Sequence, residues 1–183
     1  MTYRLRPLYH LGGYLAAVCL SLICLLITTQ ILGRIIDRVA TAIGGNRIGL
    51  SIPGLSEISG FLLVGASFLG LAYTFIHGGH IRVTLVIGRL PPAMRAWVEA
   101  FCLTVALLLC VYLAWNLYWL LDDSIAFNET SYGLLRIPLW IPQSAMLTGV
   151  ALFCLALLEA LLTTLFTAIK HPHSFTIDDG GHE

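Results

Sequence analysis

The chain has 183 residues, of which 58% are hydrophobic and 11% charged, and its ten Lys and Arg balance ten Asp and Glu. Soluble domains carry about 25% charged and about 45–50% apolar residues, so this composition excludes a water-soluble globule. Zero net charge removes the basic field on which nucleic-acid binding depends.

A helix needs about 20 predominantly apolar residues to cross about 30 Å of hydrocarbon, and four stretches meet that requirement. The first, about 11–32, lies between Arg4 and Arg6 on one side and Arg34, Asp37 and Arg38 on the other. Its apolar core exceeds the 7–15 residues or so of a cleavable leader, so it reads as a retained span. From Arg34 to Ile43, the apolar Ile35, Ile36, Val39 and Ile43 share one helical face, the pattern of a short segment lying in the interface. Gly44 and Gly45 then end it.

The second span, about 58–76, stops at His77, and the third, about 97–121, starts after Pro91, Pro92 and Arg95 and ends at Asp122 and Asp123. The fourth, about 140–166, opens among Pro138 and Pro142 and closes before Lys170. Each is far longer than a barrel strand of about 9–11 residues and lacks strict alternation, so the spans are helices. The expected architecture is an all-α integral membrane protein. Residues 1–169 form one four-helix domain, and 170–183 form a polar tail. Arg4, Arg6, Arg82, Arg89, Arg95 and Lys170 fall on one side, against Arg34, Arg38, Arg47 and Arg136 on the other. Excess positive charge stays inside, which places both termini in the cytoplasm.

Few chemistries fit the side chains available. Cys19, Cys24, Cys102, Cys110 and Cys154 all sit inside spans without a Cys-x-x-Cys pair, so they read as packing residues. The histidines lie at membrane edges or in the tail, which removes paired axial ligands for a buried haem. His77 and His80 are spaced i, i+3 without a nearby carboxylate or Cys, so they make no metal site. Phosphate loops, nucleophile elbows and zinc-protease motifs are missing, and no cofactor is expected.

Glu159 is the carboxylate placed well inside an apolar run, two turns from the end of span four. It can reach the interface or pair with a basic residue such as Arg95. Asn116 and Gln30 are expected to hydrogen-bond between helices. Small residues recur every fourth position at Gly12 and Ala16, Ala66 and Gly70, and Ala145 and Gly149, marking faces where backbones approach closely. No internal repeat or interrupted helix points to a self-sufficient transporter. The residues alone leave open a four-span membrane enzyme, such as a glutathione-dependent transferase using Arg82, Arg89 and Arg95. They also leave open a small independent transporter using Glu159.

The most patterned stretch joins spans two and three. Gly78 and Gly79 release the helix, Ile81, Val83 and Leu85 alternate with Arg82 and Thr84, and a second amphipathic stretch restarts after Pro91 and Pro92, the pattern of a short interfacial segment between spans two and three. Gly79, His80, Ile81, Arg82 and Val83, followed by Leu90 and Pro91, resemble the motif of the small membrane subunit of tripartite ATP-independent periplasmic (TRAP) transporters. Leu55-Ser56-Glu57-Ile58 resembles that family's acidic approach to the second helix. Ile137-Pro138-Leu139-Trp140-Ile141-Pro142 resembles its Pro-aromatic approach to the fourth. Thr84 departs from the family, whose members often carry an acidic residue there.

The resemblance implies a subunit of a secondary active transporter in the bacterial inner membrane. A periplasmic binding protein delivers an organic acid anion to a large permease subunit, which carries the substrate, with sodium as the coupling ion. The small subunit is then a scaffold, neither enzyme nor substrate binder. Its partners are the large permease, the binding protein and membrane lipids, and no nucleic acid. Glu57, Gly79, His80, Arg82, Leu90, Pro91, Pro138 and Trp140 become candidates for the partner or lipid interface. Gly12, Ala16, Ala66, Gly70, Ala145 and Gly149 are candidates for helix packing. If Arg82 meets anionic lipid or a partner carboxylate, Arg82→Glu lowers co-purification of the large subunit by about fivefold or more, the worth of one surface cation; unchanged recovery would remove that role.

Overall fold

The computed structural model describes residues 5–44, 49, 53–78 and 92–170. Four helices follow in order: α1 (Arg6–Ala42), α2 (Leu55–Ile76), α3 (Pro92–Ala126) and α4 (Trp140–Lys170). All four are long and apolar enough to cross a membrane, and each contains one of the spans expected from the sequence. Among the described residues no strand forms, and one isolated antiparallel bridge joins Thr130 to Pro138. The segment between α2 and α3 and the tail beyond residue 170 lie outside the described residues.

The Arg34–Ile43 stretch is not a separate interfacial element. It forms the last turns of α1, a helix of 37 residues that is about 55 Å long and so outruns the hydrocarbon. Nothing in the sequence breaks it earlier, and Pro7 sits in the first turn, where the missing amide donor costs nothing. Gly44 ends the helix at φ 81°, in the left-handed region that glycine adopts without strain. The Ile43 amide donates to Val39 O at 3.1 Å and that of Gly44 to Thr41 O at 3.2 Å.

The helices pack in the spatial order α1, α2, α4, α3, with α1 also touching α4. This is a row with two edges. The most apolar windows of α1 and α3 are each 6% buried, against 22% in α2 and 28% in α4, so the two edge helices spend little of their surface inside the chain. The outer side of α3 carries exposed Trp115, Tyr118 and Trp119, the last two rings packed edge to face at 5.9 Å. They stand just before Asp122 and Asp123, where amphipathic rings suit a membrane–water boundary.

In hydrocarbon, burial of apolar surface does not drive helices together, so contact depends on close backbone approach. A Cβ added at Gly12 would stand 2.7 Å from Leu69 O, and one at Gly149 would run into the Phe68 carbonyl. Gly70 faces the Ala16 methyl. The backbone of α2 is therefore held closely by α1 on one side and α4 on the other. Ala66 is buried in the same helix, and Ala145 is half-buried in α4.

Hydroxyl and amide groups in the spans mostly bond to their own helices. Ser21, Thr29, Ser67, Thr104 and Thr148 each donate to the carbonyl four residues back, which satisfies them without water. Asn116 does the same, its Nδ2 donating to Tyr112 O at 2.7 Å. Among the described residues it makes no bond to another helix, because its amide is taken by its own turn. Gln30 instead faces a cavity between α1 and the start of α2.

A matched pair of substitutions tests this packing. Gly60 has nothing within 4 Å of an added Cβ, so Gly60→Ala gains helix propensity and is neutral or stabilising by up to about 1 kcal/mol. Gly12→Ala forces two backbones apart and costs about 1–3 kcal/mol. Thermal unfolding in detergent reads both, and equal shifts would show that the α1–α2 contact is not close.

Candidate functional site: the Glu57 loop anchor and the Tyr9–Glu159 contact

The N-terminus of α2 begins at Gly54, whose φ of 68° turns the chain into the helix without a side-chain cap. Glu57 lies in the first turn, where the helix dipole favours a carboxylate. Its side chain crosses to the loop between α3 and α4, with Oε2 accepting the Leu135 amide at 3.3 Å. The Gly133 backbone lies directly against that carboxylate, leaving no room for a Cβ, and a Cβ at Gly54 would stand 2.7 Å from the Leu135 side chain. Two glycines thus allow the loop and the start of α2 to touch.

The loop supplies its own closure. Asn128 ends α3 with φ 49°, a conformation that Asn tolerates better than most residues. Glu129 follows and ties the loop at three points. Its amide donates to Ser124 O at 3.0 Å, its carbonyl accepts from Leu139 N at 3.0 Å, and its Oε2 accepts from the buried Ser124 hydroxyl at 2.8 Å. Ser131 N donates to Ile137 O at 2.8 Å. This narrow hairpin delivers Pro138 to Trp140, the half-exposed first residue of α4.

Of the sequence-derived interface residues, the structure therefore brings Glu57 to the loop that leads through Pro138 to Trp140. Gly79, His80, Arg82, Leu90 and Pro91 lie outside the described residues. Sequence reasoning missed Gly133 and Glu129. A Gly in a loop and an acid five residues after a Ser have no local pattern that announces a contact with Glu57 or with the end of α3.

At the opposite end, fully buried Tyr9 on α1 donates its hydroxyl to Glu159 Oε2 on α4 at 3.0 Å. Tyr9, Ala72 and Ala156 form a small core with Phe75, Ile76 and Leu152 against it. This phenol, 150 residues away in sequence, is a partner for Glu159 that no spacing signals, while the side chain of Arg95, the basic partner suggested by the sequence, lies outside the described residues. The neighbouring rings of His10, Tyr73 and His77 cluster with centroids 4.2–5.3 Å apart. His77 Nδ1 lies 2.8 Å from Tyr73 O. Among the described residues no group of three His, Cys, Asp or Glu could hold a metal.

The loop anchor predicts a coupled pair. Glu57→Ala and Gly133→Ala each cost about 1–3 kcal/mol, the first by stranding an amide and the second by overpacking. Because both act on one contact, the double substitution costs less than their sum. Additive losses in thermal unfolding would separate the two residues.

Comparison with known proteins places this arrangement. The DctQ component of the tripartite ATP-independent periplasmic transporters matches residues 23–167. The chain is 26% identical over 161 residues to the ectoine TRAP transporter small permease protein TeaB of Halomonas elongata, covering 86% of this chain and 74% of that one. It is 25% identical over 164 residues to a protein described as a TRAP transporter small permease in Haemophilus influenzae, covering 88% and 94% respectively. No solved structure matches significantly. With four membrane-crossing helices and a family match across most of its length, the chain belongs to the DctQ family of small TRAP permease subunits, multi-pass proteins of the inner membrane.

Proposed function

We propose that this chain is the scaffold of its transporter: it holds a large permease subunit in the membrane and does not itself contact substrate. The observation that carries this reading is the open row of helices. Edge helices α1 and α3 leave almost all of their apolar windows uncovered within the chain, while the polar groups of the spans turn mostly to their own carbonyls. Such a chain offers extensive packing surface and little polar lining for a solute. Glu159, the carboxylate in the fourth apolar run, is engaged by Tyr9 in a role that joins α1 to α4.

The substrate of the assembled transporter is an organic acid anion, captured by a periplasmic binding protein and moved with sodium by the large subunit. Both termini of this chain face the cytoplasm, as its basic residues suggest, which puts the Glu57-anchored loop on the periplasmic side. Glu57, Pro138 and Trp140 shape that side, and the Gly79–Arg82 motif with Leu90 and Pro91 serves the cytoplasmic side.

Reconstitution tests this directly. Proteoliposomes holding both membrane subunits, the binding protein and a sodium gradient take up substrate, and those lacking either membrane subunit do not. Glu159→Gln keeps a hydrogen-bond acceptor for Tyr9 and preserves uptake to within about twofold, since a tenfold change would correspond to about 1.4 kcal/mol of lost function. Uptake by this chain alone, or its abolition by Glu159→Gln in an intact complex, would overturn the scaffold role.

A further inference from the structure

A cavity lies outside the contacts already described. It measures about 420 Å³ and lies between α1 and the first turns of α2, lined by Ile27, Gln30 and Arg34 from one helix and Leu55, Ser56 and Ser59 from the other. The spacing explains the lining. Ile27, Gln30 and Arg34 are at i, i+3 and i+7, and Ser56 and Ser59 at i and i+3, so each set forms a stripe on its own helix. The two stripes face each other.

The chemistry of this lining selects an anion. Arg34 presents a fork of donors suited to two oxygens, Gln30 adds an amide, and the two serines add hydroxyls. Among the described residues no acidic side chain lines the cavity. Glu57, next in sequence to Ser56, turns away to Leu135, and Asp37 accepts from the Gly49 amide at 3.2 Å. Arg34 makes no hydrogen bond or ion pair with a described residue, and the α2 N-terminus beside it has no side-chain cap, so partial positive charge also points at this end. Ser59 Oγ is buried without a partner among the described residues.

Depth narrows the anion to a lipid. Arg34 is two residues beyond the apolar run that ends at Leu32, about 3 Å farther along the helix, and Ile27 is about 10 Å deeper. The cavity therefore spans the level where phosphates end and acyl chains begin. Exposed Ile31 lies one turn from Ile27, extending an apolar track from the polar end. We propose that this cavity is a binding site for the phosphodiester headgroup of a phospholipid, with Arg34, Gln30, Ser56 and Ser59 as its donors and the Ile27–Ile31 edge of α1 against its acyl chain.

The test uses the intact chain in detergent micelles, titrated with dioleoyl phosphatidylglycerol and read by native mass spectrometry and by thermal stabilisation. Arg34→Gln is expected to lower lipid retention by at least about fivefold, Ser56→Ala with Ser59→Ala to lower it further, and Arg34→Lys to restore some of it. Arg38→Gln, one turn beyond the cavity, leaves retention unchanged and controls for surface charge. Inorganic phosphate at millimolar concentration neither competes nor stabilises if the ligand is a lipid. Equal retention by Arg34→Gln would overturn the proposal, as would displacement of the lipid by inorganic phosphate. Finally, if Arg34→Gln released the large subunit from the complex while lipid retention stayed intact, the cavity would be a seat for a protein carboxylate and the lipid assignment would fail.

Discussion

Helices in a membrane gain nothing from hiding apolar surface from one another, and the fold depends on where α2 lets its neighbours come close. Gly12 of α1 meets the Leu69 carbonyl, and Gly149 of α4 meets that of Phe68. These contacts lie one residue apart along α2, so the central helix is clasped at one level from both sides. A side chain at either glycine would push the paired backbones apart and forfeit the dispersion contacts that hold them. Among the described residues helix α3 packs chiefly against α4, which gives the order α1, α2, α4, α3 with α1 and α3 at the edges.

The ends of the row are held by polar contacts of unlike kinds. At the α2 N-terminus, Glu57 receives the amide of Leu135, and the hairpin tied by Glu129 fixes how α3 passes to α4. At the other end, Tyr9 gives its proton to a hydrogen bond with Glu159, joining α1 to α4 where the two helices touch. Each contact gives a carboxylate oxygen near the membrane boundary a donor, although the buried Oε1 of Glu57 has no partner among the described residues. Together they pin the orientation of helices whose middles meet through small residues.

The sequence announces what depends on local pattern. Runs of apolar residues located all four helices, and the small residues at Gly12, Ala16, Gly70 and Gly149 fall where backbones approach. Continuation of α1 beyond Arg34 was not legible, because an amphipathic stretch looks the same whether it lies flat or extends a helix, and Gly44 ends it in either case. Asn116 offered an amide that any neighbour could take, and its own turn took it. Tyr9 with Glu159, and Glu57 with Gly133, are pairs set by tertiary geometry at long separation, with no periodicity to reveal them. The family, by contrast, was readable from three short motifs in order, two of which the fold gathers at one end of the row.

A row with open edges is what a small permease subunit needs if its apolar surface is meant for lipids and a larger partner. The most direct test is the distance between the two edge helices, measured by double electron–electron resonance with spin labels at Ile31 on α1 and Trp119 on α3 in nanodiscs. With two helices between them and interaxial spacings of 8–10 Å, the row predicts a separation of about 20 Å or more. Closing this row into a four-helix ring would set α1 beside α3 at about 8–10 Å, and a distance in that range would contradict the account.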